Sequence, residues 1–284
     1  MESNDINEHF LNIHHILDSK GIKVPRCVEA LMKRLLHIDE INEIIYKNRH
    51  KEGVDFATAA MSGNEPYNLN IKIVARNIEN IPTEGHPIIA GNHPLGGADG
   101  LALIDVVGRR RRDILFPVND FLMLLPGLKS LFVPIDKVHH SKSKMELLEQ
   151  AFASDKALLY FPAGLCSRRQ PDGTIHDPKW KPTYVKKAVE YGRDIVPFYF
   201  EASNRKRFYR IAHLREKMGI RFNFEMALLP AELFAQRGKE ITVTFGKAIP
   251  YTTFDRRHSP KEWAALLEAH TYRLKDNPEA PFEA

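Results

Sequence analysis

From about residue 70 onward the chain alternates short β-rich apolar runs with helix-like segments, and this alternation constrains the fold more than any other feature. The runs span residues 69–74, 87–90, 113–118, 157–161, 195–200 and 241–245, with helical patterns over 101–108, 144–153, 182–192 and 260–274 between or after them. Strands that alternate with helices predict an α/β fold, a mixed and largely buried sheet flanked by helices. Before residue 46 the spacing is helical. Phe10, Ile13, Ile16 and Leu17 form one stripe, Val24, Cys27, Val28, Leu31, Met32, Leu35 and Leu36 a second, and Ile38, Ile41, Ile44 and Ile45 continue it. The expected division is therefore an N-terminal helical extension over 1–65 followed by one α/β domain over 66–284.

Cys27 and Cys166 are the two cysteines, too few for a disulfide framework or a structural zinc site, so a reducing cytoplasm is the expected compartment. The polar, acidic start is not read as a secretory signal. Apolar stretches such as 101–107 fall short of the ~20 residues that span a bilayer, so any membrane contact is expected from the surface. A formal net charge of +5 points to an anionic partner. The excess clusters in Arg109–Arg112 and in Arg205, Lys206, Arg207, Arg210, Arg215 and Lys217. These clusters lack the aromatic interleaving or the motifs of nucleic-acid binding, and no nucleic-acid partner is expected.

The most informative segment, residues 88–100, reads Ile-Ile-Ala-Gly-Asn-His-Pro-Leu-Gly-Gly-Ala-Asp-Gly. An apolar strand runs into Asn92 and His93, then a glycine turn, and Asp99 stands where the next helix begins. In open α/β sheets, ligands sit at such strand-to-helix turns. A histidine there can take a proton from a hydroxyl at neutral pH. Asp99 either orients that imidazole, as a triad carboxylate does, or only caps the helix. Gly96 and Gly97 would allow close backbone approach and could aim amides at an oxyanion.

A second strand-to-turn segment, residues 160–169, ends in Ser167, Arg168 and Arg169. The two arginines either bind a carboxylate or phosphate through forked hydrogen bonds or face solvent. Cys166 lacks a neighbouring base and reads as a packing residue. In the apolar stretch 116–128, Phe121, Leu125 and Pro126 either line an acyl channel or belong to the core. Lys137 ends the apolar run after Phe132 and could join Arg168 in a cationic pocket. Histidine pairs at 14–15 and 139–140 are not read as ligands, and no metal is expected.

Four segments in this order resemble the motifs of the glycerolipid acyltransferase superfamily, which includes 1-acylglycerol-3-phosphate acyltransferases: Asn92-His93 to Asp99, the turn at Pro126, Phe161-Pro-Ala-Gly-Leu-Cys-Ser-Arg168, and Ile195-Val-Pro197. The resemblance covers roughly residues 70–250. It implies that His93 is the general base, that Asp99 orients it, and that Asn92, Lys137, Ser167, Arg168 and Arg169 lie near the acceptor head group. It also implies an acyl thioester, on coenzyme A or acyl carrier protein, as donor and co-substrate, no further cofactor, and a lysolipid acceptor. The site of action is then the inner face of the cell membrane, with stretch 204–218 either an interfacial helix on anionic lipid or a core helix with a basic outer side.

The chain departs from the family pattern at several points. His93 and Asp99 are separated by five residues where the family has His-x4-Asp. Ala163, Leu165 and Cys166 replace the usual glutamate, threonine and arginine of Phe-Pro-Glu-Gly-Thr-Arg-Ser. The Asn-His-Pro-Leu-Gly-Gly form resembles a bacterial hemolysin-like branch related to acyltransferases of amino-acid-containing lipids, whose acceptor would offer a carboxylate. Hydrolysis by the same pair, or lipid binding without turnover, are the other readings.

Overall fold

In the computed structural model, which describes residues 11–19, 21, 23–119, 122–135, 141–220 and 223–283, the alternating runs become a seven-stranded mixed sheet. Its strands are β1 (Lys72–Arg76), β2 (Ile88–Gly91), β3 (Ile114–Val118), β4 (Phe132–Pro134), β5 (Ala157–Tyr160), β8 (Ile195–Glu201) and β9 (Glu240–Phe245), in the spatial order β1-β9-β8-β2-β5-β3-β4. All neighbours run parallel except β8 and β9. A separate two-residue hairpin pairs β6 (Arg168–Arg169) with β7 (Ile175–His176). Strand β2 lies between β8 and β5, and all four of its residues are buried. A continuous apolar run is what a parallel strand covered on both faces requires.

The helices cover both faces. They are α1 (Ile13–Ser19), α2 (Arg26–Leu35), α3 (Ile38–Lys47), α4 (Gly53–Ser62), α5 (Gly97–Gly108), α6 (Lys142–Ala153), α7 (Thr183–Tyr191), α8 (Lys206–Lys217), α9 (Leu229–Phe234) and α10 (Pro260–Arg273). Side chains alternate across β2: Ile89 packs with Val196, Val243 and the apolar residues of α4 and α5, whereas Ile88 and Ala90 pack with Tyr184, Val185, Trp263 and Leu267 of α7 and α10. Helix α10 opens on the signature Ser-Pro-Lys-Glu, and Ser259 and Glu262 form the reciprocal capping box.

The N-terminal helices are continuous with this core. Val54, Phe56, Ala57, Ala60 and Met61 of α4 share one apolar cluster with β2, α5 and β9. The approach is close enough that a Cβ on Gly108 would lie 2.2 Å from Val54, and one on Gly127 2.4 Å from Phe56. Helix α4 is amphipathic: Gly53, Val54, Phe56, Ala57, Ala60 and Met61 are buried on one face and Asp55, Thr58 and Ser62 are exposed on the other. Helix α2, by contrast, has no buried residue and exposes Val28, Leu31 and Leu35.

Two buried arginines staple the N-terminal ends of the strands. Arg193, just before β8, is fully buried and donates to the carbonyls of Phe152, His86, Lys156, Ala151 and Ser154. Burial lowers its pKa to about 10, which leaves it cationic at neutral pH. Arg111 donates to the carbonyls of Pro82, Glu84 and Gly85 and to Asp113. The rest of that basic cluster is also engaged in part, with Arg109 on Asp105 and Arg112 on Asp55.

Arg193→Met should cost about 3 kcal/mol because it orphans buried carbonyls, with Arg193→Lys recovering part of the loss; urea melts of the three proteins measure this. His270 on α10 is buried against Phe282, and burial first, then Arg273, pushes its pKa down to about 4. The unfolded chain therefore binds this proton between about pH 6.5 and 4 while the folded chain does not. Stability should be full above pH 6.5 and fall toward pH 4, and His270→Leu should flatten that acid limb in denaturant melts across the range.

Candidate active site

The C-terminal end of β2 delivers the central loop. Gly91 is obligatory there, since a Cβ would sit 2.1 Å from the carbonyl oxygen of Phe198 on β8. Asn92 follows, and its amide locks the strand ends together: it donates to the Phe200 carbonyl at 3.0 Å and accepts from the Phe200 amide at 2.6 Å. Asn92, expected near the acceptor, is therefore a buried strap between β2 and β8.

His93 comes next, half-buried, with its ring stacked on Phe161 at 4.0 Å. Phe161 itself packs on Phe116 and Phe198, so the imidazole lies on an aromatic platform built from three strand ends. Its Nδ1 lies 3.2 Å from Asp99 Oδ1, in ion-pair contact but without the alignment of a linear hydrogen bond. Asp99 is completely buried in the first turn of α5, where its other oxygen accepts the Leu95 amide at 2.7 Å and Oδ1 accepts the Gly100 amide at 3.1 Å. The carboxylate thus serves both readings of its position. It satisfies amides at the helix N-terminus, where the dipole favours a negative charge, and it faces the histidine.

The extra residue between His93 and Asp99 is taken up at Gly96, which has φ of +88°. Only glycine adopts that conformation without strain, and a Cβ there would also meet Leu229 at 2.8 Å. The neighbouring Gly97 faces open space. The first N–H groups of a helix have no intrahelical acceptor, and such a terminus can stabilise an anion.

A residue that spacing did not reveal holds this loop in place. Asp177, just after β7 and buried, accepts the His93 amide on both oxygens, at 3.2 and 3.0 Å. It also accepts the Ser167 hydroxyl at 2.6 Å and the Trp180 indole N–H at 3.2 Å. Its own amide donates to the Tyr272 hydroxyl, and the Ser167 amide donates to the His93 carbonyl at 2.8 Å. Burial pushes the Asp177 carboxyl up, against the opposing pull of Ser167, His93 and Trp180. The only sequence signal for it is a lone aspartate in the segment Ile-His-Asp-Pro-Lys-Trp180, far from the histidine in the chain.

The remaining expected residues divide. Arg168 is turned inward: its guanidinium contacts the Cys166 carbonyl and sulfur, the Ser167 carbonyl and, at 3.0 Å, Glu225. Glu225 is fully buried and also pairs with Arg215 of α8 at 2.9 Å. A cation so enclosed is spent on the fold and is not available to a head group. Arg169 is exposed on β6, on the other side of the hairpin. Ser167 spends its hydroxyl on Asp177. Leu125 packs on the core and Pro126 begins a short 3-10 turn. Phe121 and Lys137 lie outside the described residues. Cys166 is buried, and burial pushes its thiol up to about 11, which suits packing rather than nucleophilic attack. Beside the loop, Asn92, Pro94, Ser167, Tyr199, Tyr272 and Lys275 are among the residues lining a polar cleft of about 530 Å³.

Comparison with known proteins places the chain in a family. The pattern of the family described as "Acyltransferase" matches residues 18–281. The chain is 41% identical to the lyso-glycine lipid O-acyltransferase of Bacteroides thetaiotaomicron over 93% of this chain and 97% of that protein. It is 40% identical to the lyso-glycine lipid O-acyltransferase of Phocaeicola vulgatus over 93% and 95% of the two chains. A solved structure, the 1-acyl-sn-glycerophosphate acyltransferase PlsC of Thermotoga maritima, aligns over 95% of this chain and 90% of its own at 16% identity and a TM-score of 0.47. With a family pattern over nearly the whole length and relatives of this similarity, the chain belongs to the acyltransferase family and is an enzyme that transfers acyl groups in lipid synthesis.

Proposed function

We propose that the protein transfers a fatty acyl group from an acyl thioester, on coenzyme A or acyl carrier protein, to a hydroxyl of an amino-acid-containing lysolipid of the lyso-glycine type. The observation that carries the catalytic half is the half-buried imidazole of His93 held 3.2 Å from the buried Asp99 carboxylate. The acceptor half is supported by the names of the two relatives and by the fate of the arginine segment. Cys166 stands where the family pattern has arginine, and Arg168, two residues on, is buried and turned onto Glu225, which it shares with Arg215. Arg169 is then the exposed cation of this segment, and a carboxylate demands less positive charge than a doubly charged glycerol phosphate.

In the reaction, the free ring nitrogen of His93 removes the proton from the acceptor hydroxyl as its oxygen attacks the thioester carbonyl carbon. Asp99 stabilises the imidazolium that forms, and its two amide hydrogen bonds keep it from turning away. The carbonyl oxygen becomes an oxyanion within reach of the backbone N–H groups at Gly96 and Gly97. When the tetrahedral intermediate collapses, the C–S bond breaks and the departing thiolate takes the proton from His93. The product is an ester and a free thiol, with no covalent enzyme intermediate. Phe161 and its aromatic neighbours keep the ring in plane and exclude water from one face.

Thiol release measured with purified enzyme, with and without acceptor, tests the reaction. His93→Ala should lower acceptor-dependent release by about 10²–10⁴-fold, and equal release without acceptor would indicate a hydrolase instead. Offered side by side, a lyso-glycine lipid should be acylated and a 1-acylglycerol-3-phosphate should not; the reverse preference would overturn the acceptor.

Asp177→Asn keeps the shape but places an amide against the His93 N–H, so it should reduce kcat by about ten- to a hundredfold through a shifted loop. KM for the thioester should change little, and the melting temperature should fall because a buried acceptor of the Ser167 and Trp180 donors is replaced in part by an amide donor, so kcat is compared well below both melting temperatures. An unchanged kcat would remove Asp177 from the positioning of His93.

A further inference from the structure

Helix α8, the observed form of stretch 204–218, turns one face to the core and leaves the other exposed. One face is core: Phe208, Tyr209, Ala212 and Arg215 are buried, and Arg215 reaches Glu225, which in turn holds Arg168 at the end of the second strand-to-turn segment. At its N-terminal end Asn204 donates to the carbonyls of Pro94 and Leu95, and Arg205 is fixed to Glu232 of α9. The helix is therefore bolted to the loops on both sides of His93.

The opposite face is exposed and mixed. At helical spacing it carries Arg210, Leu214, Lys217 and Met218, with half-buried Ile211 and Arg207, which lies 4.0 Å from Glu232 of α9, at its edge. Leu214 and Met218 are 55% and 54% exposed, and Ile220, just beyond the glycine that ends the helix, is 39% exposed. Glu216, the acidic residue of this helix, projects from the other side and pairs with Arg215. Large apolar side chains on a surface helix, flanked by cations and free of carboxylates, lower their free energy at a bilayer interface by inserting while the cations meet anionic head groups.

We infer that the outer face of α8 docks the enzyme on an anionic bilayer, with Leu214, Met218 and Ile220 inserted and Arg210 and Lys217 at the head groups. Among the described residues no helix is long and apolar enough to cross a membrane, so an interfacial face of this kind supplies the contact an amphiphilic acceptor requires. Three exposed apolar side chains at one end of the helix favour lipid over an acidic carrier protein, whose surface would engage the cations alone. Because α8 is fixed to the Asn92–Gly97 and Cys166–Arg168 loops, docking also sets the orientation of the His93 cleft to the lipid surface. The inference does not depend on which acceptor the enzyme uses.

The test is flotation of the full chain with phosphatidylcholine vesicles made with and without phosphatidylglycerol, at low and high salt. The parent should bind the anionic vesicles in a salt-sensitive way. Arg210→Gln and Lys217→Gln should each weaken that binding about fivefold, the effect of about 1 kcal/mol per basic residue near the surface. Leu214→Ser/Met218→Ser should abolish it at both salts.

All of these variants should acylate a detergent-dispersed acceptor at the parent rate and lose activity only toward acceptor in vesicles. Thus a failed acceptor assignment would be seen in the dispersed assay and a failed docking assignment in flotation. Absence of parent binding, binding by the serine double variant equal to the parent, or loss of acyl carrier protein binding with vesicle binding intact would each overturn the inference.

Discussion

A central parallel strand, buried on both faces and flanked by two others running the same way, is the constraint from which the rest follows. Parallel neighbours cannot be joined by tight hairpins, so β2, β5 and β8 are each followed by a return path and all end at the same edge of the sheet. That edge gathers His93, Phe161 and Phe198, which are far apart in the chain. The opposite edge is closed by Arg193 and Arg111, whose guanidinium groups satisfy carbonyls that would otherwise be buried without partners. Stability is thus concentrated at one end of the strands and chemistry at the other.

At the reactive edge, geometry is set by carboxylates that serve different atoms of one histidine. Asp99 faces the ring, and Asp177 holds the backbone amide. The second is as buried as the first, and it ties the histidine loop to Ser167, Trp180 and Tyr272. A base that must accept and return a proton within one encounter needs its ring fixed to a fraction of an ångström. Here the main chain is restrained as firmly as the side chain.

Much of this was legible from residues alone. The strands, the turn with His93 and Asp99, and the family followed from periodicity and motif order. The failures have physical causes. Helix α4 is short and mostly small residues, with its apolar side shared with the sheet, so what it packs against is visible only in the fold. Arg168 sits at a motif position that reads as ligand-binding, but its partner Glu225 lies 57 residues away and no spacing rule links them. Asp177 escapes for the same reason, since its task is to accept from a backbone amide that any residue could supply. The charge excess also changes meaning: several arginines of the two clusters, Arg109, Arg111, Arg205 and Arg215, are held by carboxylates of the same fold.

The turn at Gly96 bears on how such enzymes are recognised. One additional residue between base and carboxylate is absorbed by a single glycine in the left-handed half of conformational space, and the two side chains still meet. Proton transfer depends on the distance between atoms, and the number of peptide units separating them is only one way of setting it. A search keyed to a rigid count would pass over this chain, while one that allowed the interval to stretch wherever glycine can reverse the backbone would retain it.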